Sequence, residues 1–242
     1  MLKNAIGYNQ INNTVIENIL ENEQKTLIDS MKEKPVGTAV NRALRDNIFV
    51  MFVCILNRIP VILCGKPGCS KTLAIQIIIS NLKGKKSNDT YFQSLPEVIA
   101  VSYQGTKNCT SESIENVFER AKKYSDARTQ TELLPVIVFD EIGLAELSPH
   151  NPLKVLHNEL EIENCKYGFV AISNWRLDAS KMNRTLYLAC PDTIIEDLKL
   201  TANTIYKSIV EHQYIQLDDV FMDGLAHAYL ELCYELKRQK SN

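Results

Sequence analysis

The chain has 242 residues, of which 45% are hydrophobic and 23% are charged, and its formal net charge at pH 7 is −2. This composition is typical of a globular protein long enough to bury a core, and it argues against intrinsic disorder. The near-neutral charge gives no global attraction toward nucleic acid or an anionic membrane, so we expect neither as a direct partner.

The seven cysteines are scattered and odd in number, and no two of them form a C-x-x-C pair. This usage argues against a disulfide framework or a zinc module and favours a reducing compartment. The N-terminus lacks the tripartite pattern of a secretory signal. The longest apolar run, residues 48–56, is shorter than the roughly 20 residues of a membrane span. We therefore expect a cytoplasmic protein without a membrane span.

Hydrophobic periodicity predicts a helical N-terminal part. An amphipathic helix is expected over residues 14–31. The Pro- and Gly-containing stretch 32–37 is expected to break the chain, which makes residues 1–37 an N-terminal helical arm. A second helix over 38–57 is then expected to lead into a strand over 59–64.

Helices and strands alternate through the middle of the chain. After a helix over 72–82 and a mobile surface loop over 85–94, the predicted elements are a strand at 98–103, a helix at 111–124, a strand at 133–139, a helix opened by Asn151–Pro152, a strand at 168–173, a helical turn through Met182 and a strand at 186–189. Apolar strands separated by helices are typical of a parallel sheet covered on both faces. The predicted fold class is therefore α/β, with an αβα domain over 38–191 and a partial helical lid over 192–242.

One stretch, VILCGKPGCSKTLA at residues 61–74, has the form of a strand, a glycine-containing turn and a helix. The phosphate-loop consensus G-x-x-x-x-G-K-[ST] is met at Gly65, Lys71 and Thr72, but Ser70 stands at the second glycine. Ser70 must therefore adopt a glycine-compatible conformation or weaken binding. Lys71 is predicted to reach the β- and γ-phosphates, and Thr72 to ligate Mg²⁺. The residues predicted to bind the nucleotide are Gly65, Lys66, Pro67, Gly68, Cys69, Ser70, Lys71, Thr72 and Leu73.

Polar side chains follow two further apolar strands. The run VIVFDE delivers Asp140 and Glu141, and Asn174 follows the strand at 168–173. Asp140 is expected to bind Mg²⁺, Glu141 to orient and deprotonate the attacking water, and Asn174 to hydrogen-bond that water or the γ-phosphate. Each residue alone could simply end a strand. The combination predicts ATP and Mg²⁺ as ligands.

The layout of these three segments resembles that of AAA+ ATPases. The runs GKPGCSKTLA, FDEIGLAELSPHNPLKVLHNELE and AISNWRLDASKMNR are similar to those of an AAA+ unit of the mysterin family, giant ubiquitin ligases with dynein-like AAA+ cores. The resemblance covers about residues 38–192 and implies that a serine is usual at the position of Ser70. It also implies ATP hydrolysis coupled to rearrangement among AAA+ units in cis or in trans, within a ubiquitin-pathway assembly. Arg184 is implied as a sensor or arginine finger, in its own site or in a neighbour's.

Two departures from the family bear on function. The sequence has no cysteine/histidine zinc-binding ligase element, so ubiquitin transfer is not expected of this chain. The helical end after Asp192 is also short for a complete lid, which favours an alternative to the ATPase: a nucleotide-gated scaffold that binds ATP with little or no turnover. A GTPase is a third reading because residues 140–143 fit D-x-x-G, but no N-K-x-D element is present to recognise guanine.

Overall fold

The structure, a computed structural model, describes residues 13–126, 132–210 and 218–240. Two short 3₁₀ turns, Gly84–Lys86 and Pro152–Lys154, lie between helices. In chain order the helices and strands are α1 (Asn13–Ser30), α2 (Arg42–Leu56), β1 (Val61–Cys64), α3 (Lys71–Asn81), α4 (Thr90–Gln93), β2 (Glu97–Gln104), α5 (Ser111–Asp126), β3 (Leu133–Asp140), α6 (Ile142–Glu146), α7 (Val155–Glu159), β4 (Gly168–Ser173), α8 (Ala179–Met182), β5 (Leu186–Ala189), α9 (Ile195–Val210) and α10 (Asp219–Lys240).

The five strands form one parallel sheet in the order β2-β3-β4-β1-β5. Leu63 of β1 pairs with Ile172 of the central strand β4 on one side and with Leu188 of the edge strand β5 on the other. This order places the carboxyl ends of β1, β4 and β3 next to one another, although the strands lie far apart in the sequence. The predicted parallel α/β sheet is confirmed.

Apolar side chains alternate between the two faces of the sheet. Leu63 and Ile172 pack in a core with α1, α2 and α3, whereas Ile62 and Ala171 point into a second core beneath α5, α6 and α7. Fully burying a leucine or isoleucine side chain contributes about 1.5–3 kcal/mol to the stability of the fold. Because both faces are covered, the strands read as continuous apolar runs in the sequence.

The expectation that residues 85–94 form a loop is wrong as to secondary structure, and their mobility stays a prediction. This stretch forms α4 and the adjoining 3₁₀ turn, and Phe92 is only 1% exposed. Its ring lies edge-on to Phe52 of α2, with 6.0 Å between the centroids. The polar composition, KKSNDTYFQS, favoured a loop, but the burial of one aromatic ring anchors the segment to the core.

The start of one helix and the presence of another also differ from the prediction. The second helix begins at Arg42 rather than residue 38, because the side chain of Asn41 accepts a hydrogen bond from the N–H of Leu44 at 2.9 Å and caps the helix there. The short helix α6, which follows the acidic pair directly, was not predicted. It is held by buried side chains of Ile142 and Ala145.

The described part of the C-terminal region forms two helices, α9 and α10, as predicted. An ion pair between Lys199 of α9 and Asp223 of α10, at 2.9 Å, joins the two helices. In the described ranges we find no helix both long enough and apolar enough to cross a membrane. The predicted domain boundaries remain predictions, and parts of the arm and of the helical end, residues 1–12, 211–217 and 241–242, lie outside the described residues.

Candidate functional site

The turn that follows β1 is held at its entry by both neighbouring strands. The N–H of Gly65 donates to the carbonyl of Ser173 in β4 at 3.1 Å, and the N–H of Cys190 donates to the carbonyl of Cys64 at 2.8 Å. A Cβ atom on Gly65 would lie 2.6 Å from the Cβ of Cys190. A larger residue therefore cannot stand at Gly65 without displacing the end of β5.

Ser70 adopts the left-handed conformation, with φ 56° and ψ 23°. Of the two outcomes open from the sequence, it takes the glycine-compatible one. Gly68 also has a positive φ, 90°, and the space its Cβ would occupy is open. The loop thus reverses direction at two left-handed residues and passes directly into α3. Holding a non-glycine residue in this region costs roughly 1–3 kcal/mol, which the surroundings must offset.

Lys71, the first residue of α3, is buried at 6% exposure. Its ammonium Nζ donates to the carbonyl oxygens of Gly65 at 2.6 Å and Lys66 at 2.9 Å. A buried ammonium requires such acceptors. The charge is therefore fixed inside the loop, at the N-terminus of α3.

The acidic pair lies where β3 ends. The N–H of Glu141 donates to Oδ1 of Asp140 at 2.9 Å, and Glu141 itself is left-handed, with φ 52°, so the chain turns sharply there. Gly105, directly after β2, donates its N–H to the carbonyl of Asp140 at 2.8 Å, and a Cβ on Gly105 would lie 2.2 Å from the carbonyl oxygen of Glu141. The sequence interpretation missed Gly105. A glycine directly after a strand at this sheet edge was the available signal.

Asn174, directly after β4, contacts Glu141 across the sheet edge. Its Nδ2 donates to both carboxylate oxygens of Glu141, at 2.8 and 3.0 Å. A single amide group therefore fixes the carboxylate in one orientation. The predicted acid and amide are brought together by the adjacency of β3 and β4.

Arg184 lies away from this group. It precedes β5, whose first residue, Leu186, donates its N–H to the carbonyl of Pro60 at the amino edge of the sheet. The guanidinium pairs with Glu161. The fold therefore does not bring Arg184 to the loop of its own chain, which lies at the carboxyl edge.

Two cavities meet at the loop. One, of about 360 Å³, is lined by the loop from Pro67 to Leu73 together with Asp140, Glu141, Ile172 and Asn174. The other, of about 370 Å³, lies between the start of α2, the stretch Pro67–Ser70 and helices α9 and α10. Because both cavities share the loop, one elongated ligand could occupy them together. One cavity is thus lined by Pro67 to Leu73, Asp140, Glu141 and Asn174. The carbonyl groups of Gly65 and Lys66 accept hydrogen bonds from the ammonium of Lys71.

Helix α9 is tethered to the start of α2 beside the second cavity. Oδ1 of Asp197, a residue 8% exposed, accepts the N–H of Arg42 at 3.0 Å. Nδ2 of Asn41 donates to Oγ1 of Thr201 at 3.3 Å. A carboxylate is stabilised at a helix N-terminus, so these contacts tie α9 to the start of α2. The sequence interpretation missed them because the partners are more than 150 residues apart.

A buried amide, Asn47 of α2, supports the loop. Its Nδ2 donates to the carbonyl of Cys69 at 2.8 Å, and its Oδ1 accepts the thiol of Cys190 at 3.4 Å. Burial, reinforced by the neighbouring Cys69 thiol and opposed by the Lys71 charge, raises the pKa of Cys190 to about 11. Cys190 is therefore a protonated donor at neutral pH. Nothing in the local sequence singled out Asn47.

Comparison with known proteins identifies the family. A family model described as the RNF213 AAA domain matches residues 37–197. The chain is 38% identical to E3 ubiquitin-protein ligase rnf213-beta of Danio rerio over 205 residues, which is 81% of this chain and 4% of that protein. It is 41% identical to E3 ubiquitin-protein ligase RNF213 of Homo sapiens over 160 residues, which is 62% of this chain and 3% of that protein. The chain thus spans a small fraction of the length of these relatives.

Among solved structures, the chain is similar to the ORC2 protein of Aeropyrum pernix, determined in ADPNP–ADP complexes. The TM-score is 0.53 at 11% sequence identity, and the match covers 81% of this chain and 58% of that chain. At this identity the similarity supports the fold alone, a parallel α/β sheet flanked by helices as expected from the sequence, and the AAA assignment comes from the family model. The resemblance to mysterin, another name for RNF213, is confirmed. The chain therefore belongs to the RNF213 AAA domain family.

Proposed function

We propose that this chain binds ATP with Mg²⁺ and hydrolyses it, and that hydrolysis is coupled to a change in conformation. The observation that carries the proposal is the grouping of Lys71, Asp140, Glu141 and Asn174 around the cavity of about 360 Å³ at the start of α3. That volume lies within the usual range for a small-molecule site, and a helix N-terminus favours an anionic ligand.

The phosphates are assigned to the loop. Lys71 supplies a positive charge that is already fixed by two carbonyl groups, so little side-chain freedom is lost on binding. The backbone N–H groups of the turn and the dipole of α3 add to this attraction. The adenosine is assigned to the second cavity, beneath α9 and α10.

The residues present fit a magnesium ion. Thr72 and Asp140 line the same cavity, and both offer the hard oxygen ligands that Mg²⁺ prefers, with water and phosphate oxygens completing the coordination. When bound, Mg²⁺ would neutralise phosphate charge and polarise the phosphoryl oxygen.

Glu141 is assigned as the general base, which takes the proton of the attacking water. Asn174 is assigned to orient that carboxylate and then the water. Its amide donates to both oxygens of Glu141, and each oxygen keeps a further lone pair that can accept the proton of the water. Conformational coupling is assigned to α9 and α10, because both helices line the second cavity, α9 is tethered to α2 through Asp197, and α10 is ion-paired to α9.

The assembly proposed for this chain follows from its relatives, which are named ubiquitin ligases and are far longer than the chain. We assign the chain as an AAA+ unit that works beside other AAA+ units, in cis or in trans, within such an assembly. Arg184, at the amino edge of the sheet, is assigned to a neighbouring unit's site rather than to its own. Ubiquitin transfer is not assigned to this chain. The described cysteines are all free, which supports a cytoplasmic setting.

Steady-state phosphate release with the full chain tests the assignment. Lys71→Ala should abolish ATP binding and hydrolysis together. Glu141→Gln should retain ATP binding and lose most of the hydrolysis, because the amide has nearly the same shape but cannot accept the proton. Equal rates of hydrolysis by wild type and Glu141→Gln would contradict the catalytic role of Glu141.

A second candidate is a nucleotide-gated scaffold that binds ATP with little turnover. The observation that favours it is the same double hydrogen bond, which engages both oxygens of the base. Tight ATP binding without phosphate release, even at protein concentrations where the chain self-associates, would select this candidate over the ATPase.

A further inference from the structure

The side chain of Asn47 contacts the phosphate loop from the protein interior. Asn47 is 0% exposed, and both the NH₂ group and the oxygen of its amide have hydrogen-bond partners. Nδ2 donates to the carbonyl of Cys69 at 2.8 Å, and Oδ1 accepts the Cys190 thiol at 3.4 Å. Because the carbonyl of Cys69 can only accept a hydrogen bond, the NH₂ group must face it, which leaves the amide oxygen to accept the thiol of Cys190. The amide therefore has one defined orientation.

The acceptor carbonyl belongs to the peptide group that joins Cys69 to Ser70. A trans peptide is planar, so its C=O and N–H point in opposite directions. No cis peptide bond occurs among the described residues. With the carbonyl held by Asn47, the N–H of Ser70 points away from the buried side of the loop. Ser70 itself lines both cavities.

This peptide is also where the loop is strained. Ser70 is left-handed, and such a residue persists only when its surroundings over-determine its conformation. The nearest turn bond in the loop is long, at 3.4 Å between the N–H of Cys69 and the carbonyl of Lys66. The bond from Asn47 is shorter and fully buried. It therefore supplies a restraint that the loop lacks.

We propose that Asn47 is a positioning residue for nucleotide binding: it fixes the Cys69–Ser70 peptide so that a serine can serve where the phosphate-loop consensus has its second glycine. Asn47 does not touch the nucleotide and acts through the loop backbone. The inference rests on the proposed binding of ATP. It adds a residue on α2, outside the loop and the acidic pair, to the determinants of affinity.

The test measures the dissociation constant of Mg-ATP for the full chain by isothermal titration calorimetry, at a temperature where each variant is folded. Asn47→Leu removes both the donor and the acceptor and keeps the branched shape of the side chain, with methyl groups in place of the NH₂ and the oxygen. Its dissociation constant should rise about tenfold, the value of one buried hydrogen bond. The matched control is Asn81→Leu, at the far end of α3, whose amide is also buried and donates to the carbonyls of Glu33 at 2.9 Å and Ile77 at 2.8 Å. That variant should lose stability without losing affinity.

Asn47→Asp provides a second readout that does not depend on Asn47→Leu folding. At neutral pH a carboxylate at this position cannot donate to Cys69, so affinity should be weak. Burial raises the pKa of a carboxyl group, and the protonated acid can donate again. The affinity of Asn47→Asp, relative to wild type at each pH, should therefore recover several-fold between pH 7.5 and 5.5.

The outcomes separate the two proposals. If wild type does not bind Mg-ATP, the proposed function fails. If wild type binds and Asn47→Leu binds equally well, or if Asn81→Leu weakens affinity as much, the role of Asn47 is overturned while the proposed function stands. A ratio of Asn47→Asp to wild-type affinity that stays low across the whole pH range also counts against it.

Discussion

The amide of Asn174 donates to both carboxylate oxygens of Glu141, at 2.8 and 3.0 Å. The two residues end neighbouring strands, β4 and β3, and are 33 positions apart in the sequence. A carboxylate that accepts two hydrogen bonds from one group is held in a single plane. Asn174 therefore sets the orientation of the Glu141 carboxylate beside the loop.

Asn174→Ala should therefore reduce ATP hydrolysis more than ATP binding. Without the amide, Glu141 is free to rotate and the attacking water loses a partner, which we expect to lower kcat by about 10²-fold, as for the loss of one oriented catalytic donor. Steady-state phosphate release and a separate ATP-binding titration measure the two effects. Asn183→Ala, at an exposed asparagine in the turn before β5, is the matched control and should change neither. A parallel loss of binding in Asn174→Ala would contradict the orienting role.

Gly105→Ala should disturb the site through the backbone. Its Cβ would lie 2.2 Å from the carbonyl oxygen of Glu141, so the acidic turn must shift. We expect a loss of stability of about 1–3 kcal/mol, as for overpacking, together with reduced hydrolysis. Gly224→Ala in α10 is the opposite case, because its Cβ would meet nothing within 4 Å and alanine favours a helix by roughly 0.5–1 kcal/mol. Urea denaturation of both variants should show changes of opposite sign.

Cys190 gives a prediction for alkaline pH. Burial raises the pKa of this thiol from 9.0 to about 11 in the folded protein. Between these values the unfolded chain has lost the proton while the folded chain retains it. The stability due to the neutral thiol is therefore complete below about pH 8.5 and is lost as the pH rises through 11.

The measurement compares urea denaturation of wild type and Cys190→Ala from pH 8 to pH 10.5 under reducing conditions. Wild type should lose more stability over this interval than the variant, because only wild type carries the shifted thiol. Cys233→Ala controls for the removal of a thiol elsewhere in the chain. Parallel curves for wild type and Cys190→Ala would mean that this thiol does not contribute to the pH dependence.

Phe92→Ala tests the anchoring of α4. Removing a ring that is 1% exposed should cost about 3–5 kcal/mol of unfolding free energy, because it leaves a cavity between α4 and α2. Tyr91→Ala is the adjacent control, since that side chain is 49% exposed and should cost far less. Similar losses in both variants would show that the segment is held by its surface contacts rather than by the buried ring.

The sequence by itself determined the local elements and the residue types of the site. Strands such as Gly168–Ser173 and Leu186–Ala189 were predicted with the bounds that the structure has, because an apolar run of that length between turns has few alternatives. The loop before α3, the acidic pair and Asn174 were predicted as site residues because each combines a residue type with a fixed position at a strand end. Residues 85–94 were mispredicted because one buried ring outweighs a polar composition.

Only the tertiary structure decided which of these residues meet. The strand order places β3, β4 and β1 side by side, and this brings Asn174 to Glu141 while leaving Arg184 at the opposite edge. The two hydrogen-bond partners of Asn47 are Cys69, 22 residues along the chain, and Cys190, 143 residues away. Hydrophobic periodicity carries no information about such pairs, because it reports which face of an element is buried and not what lies against it.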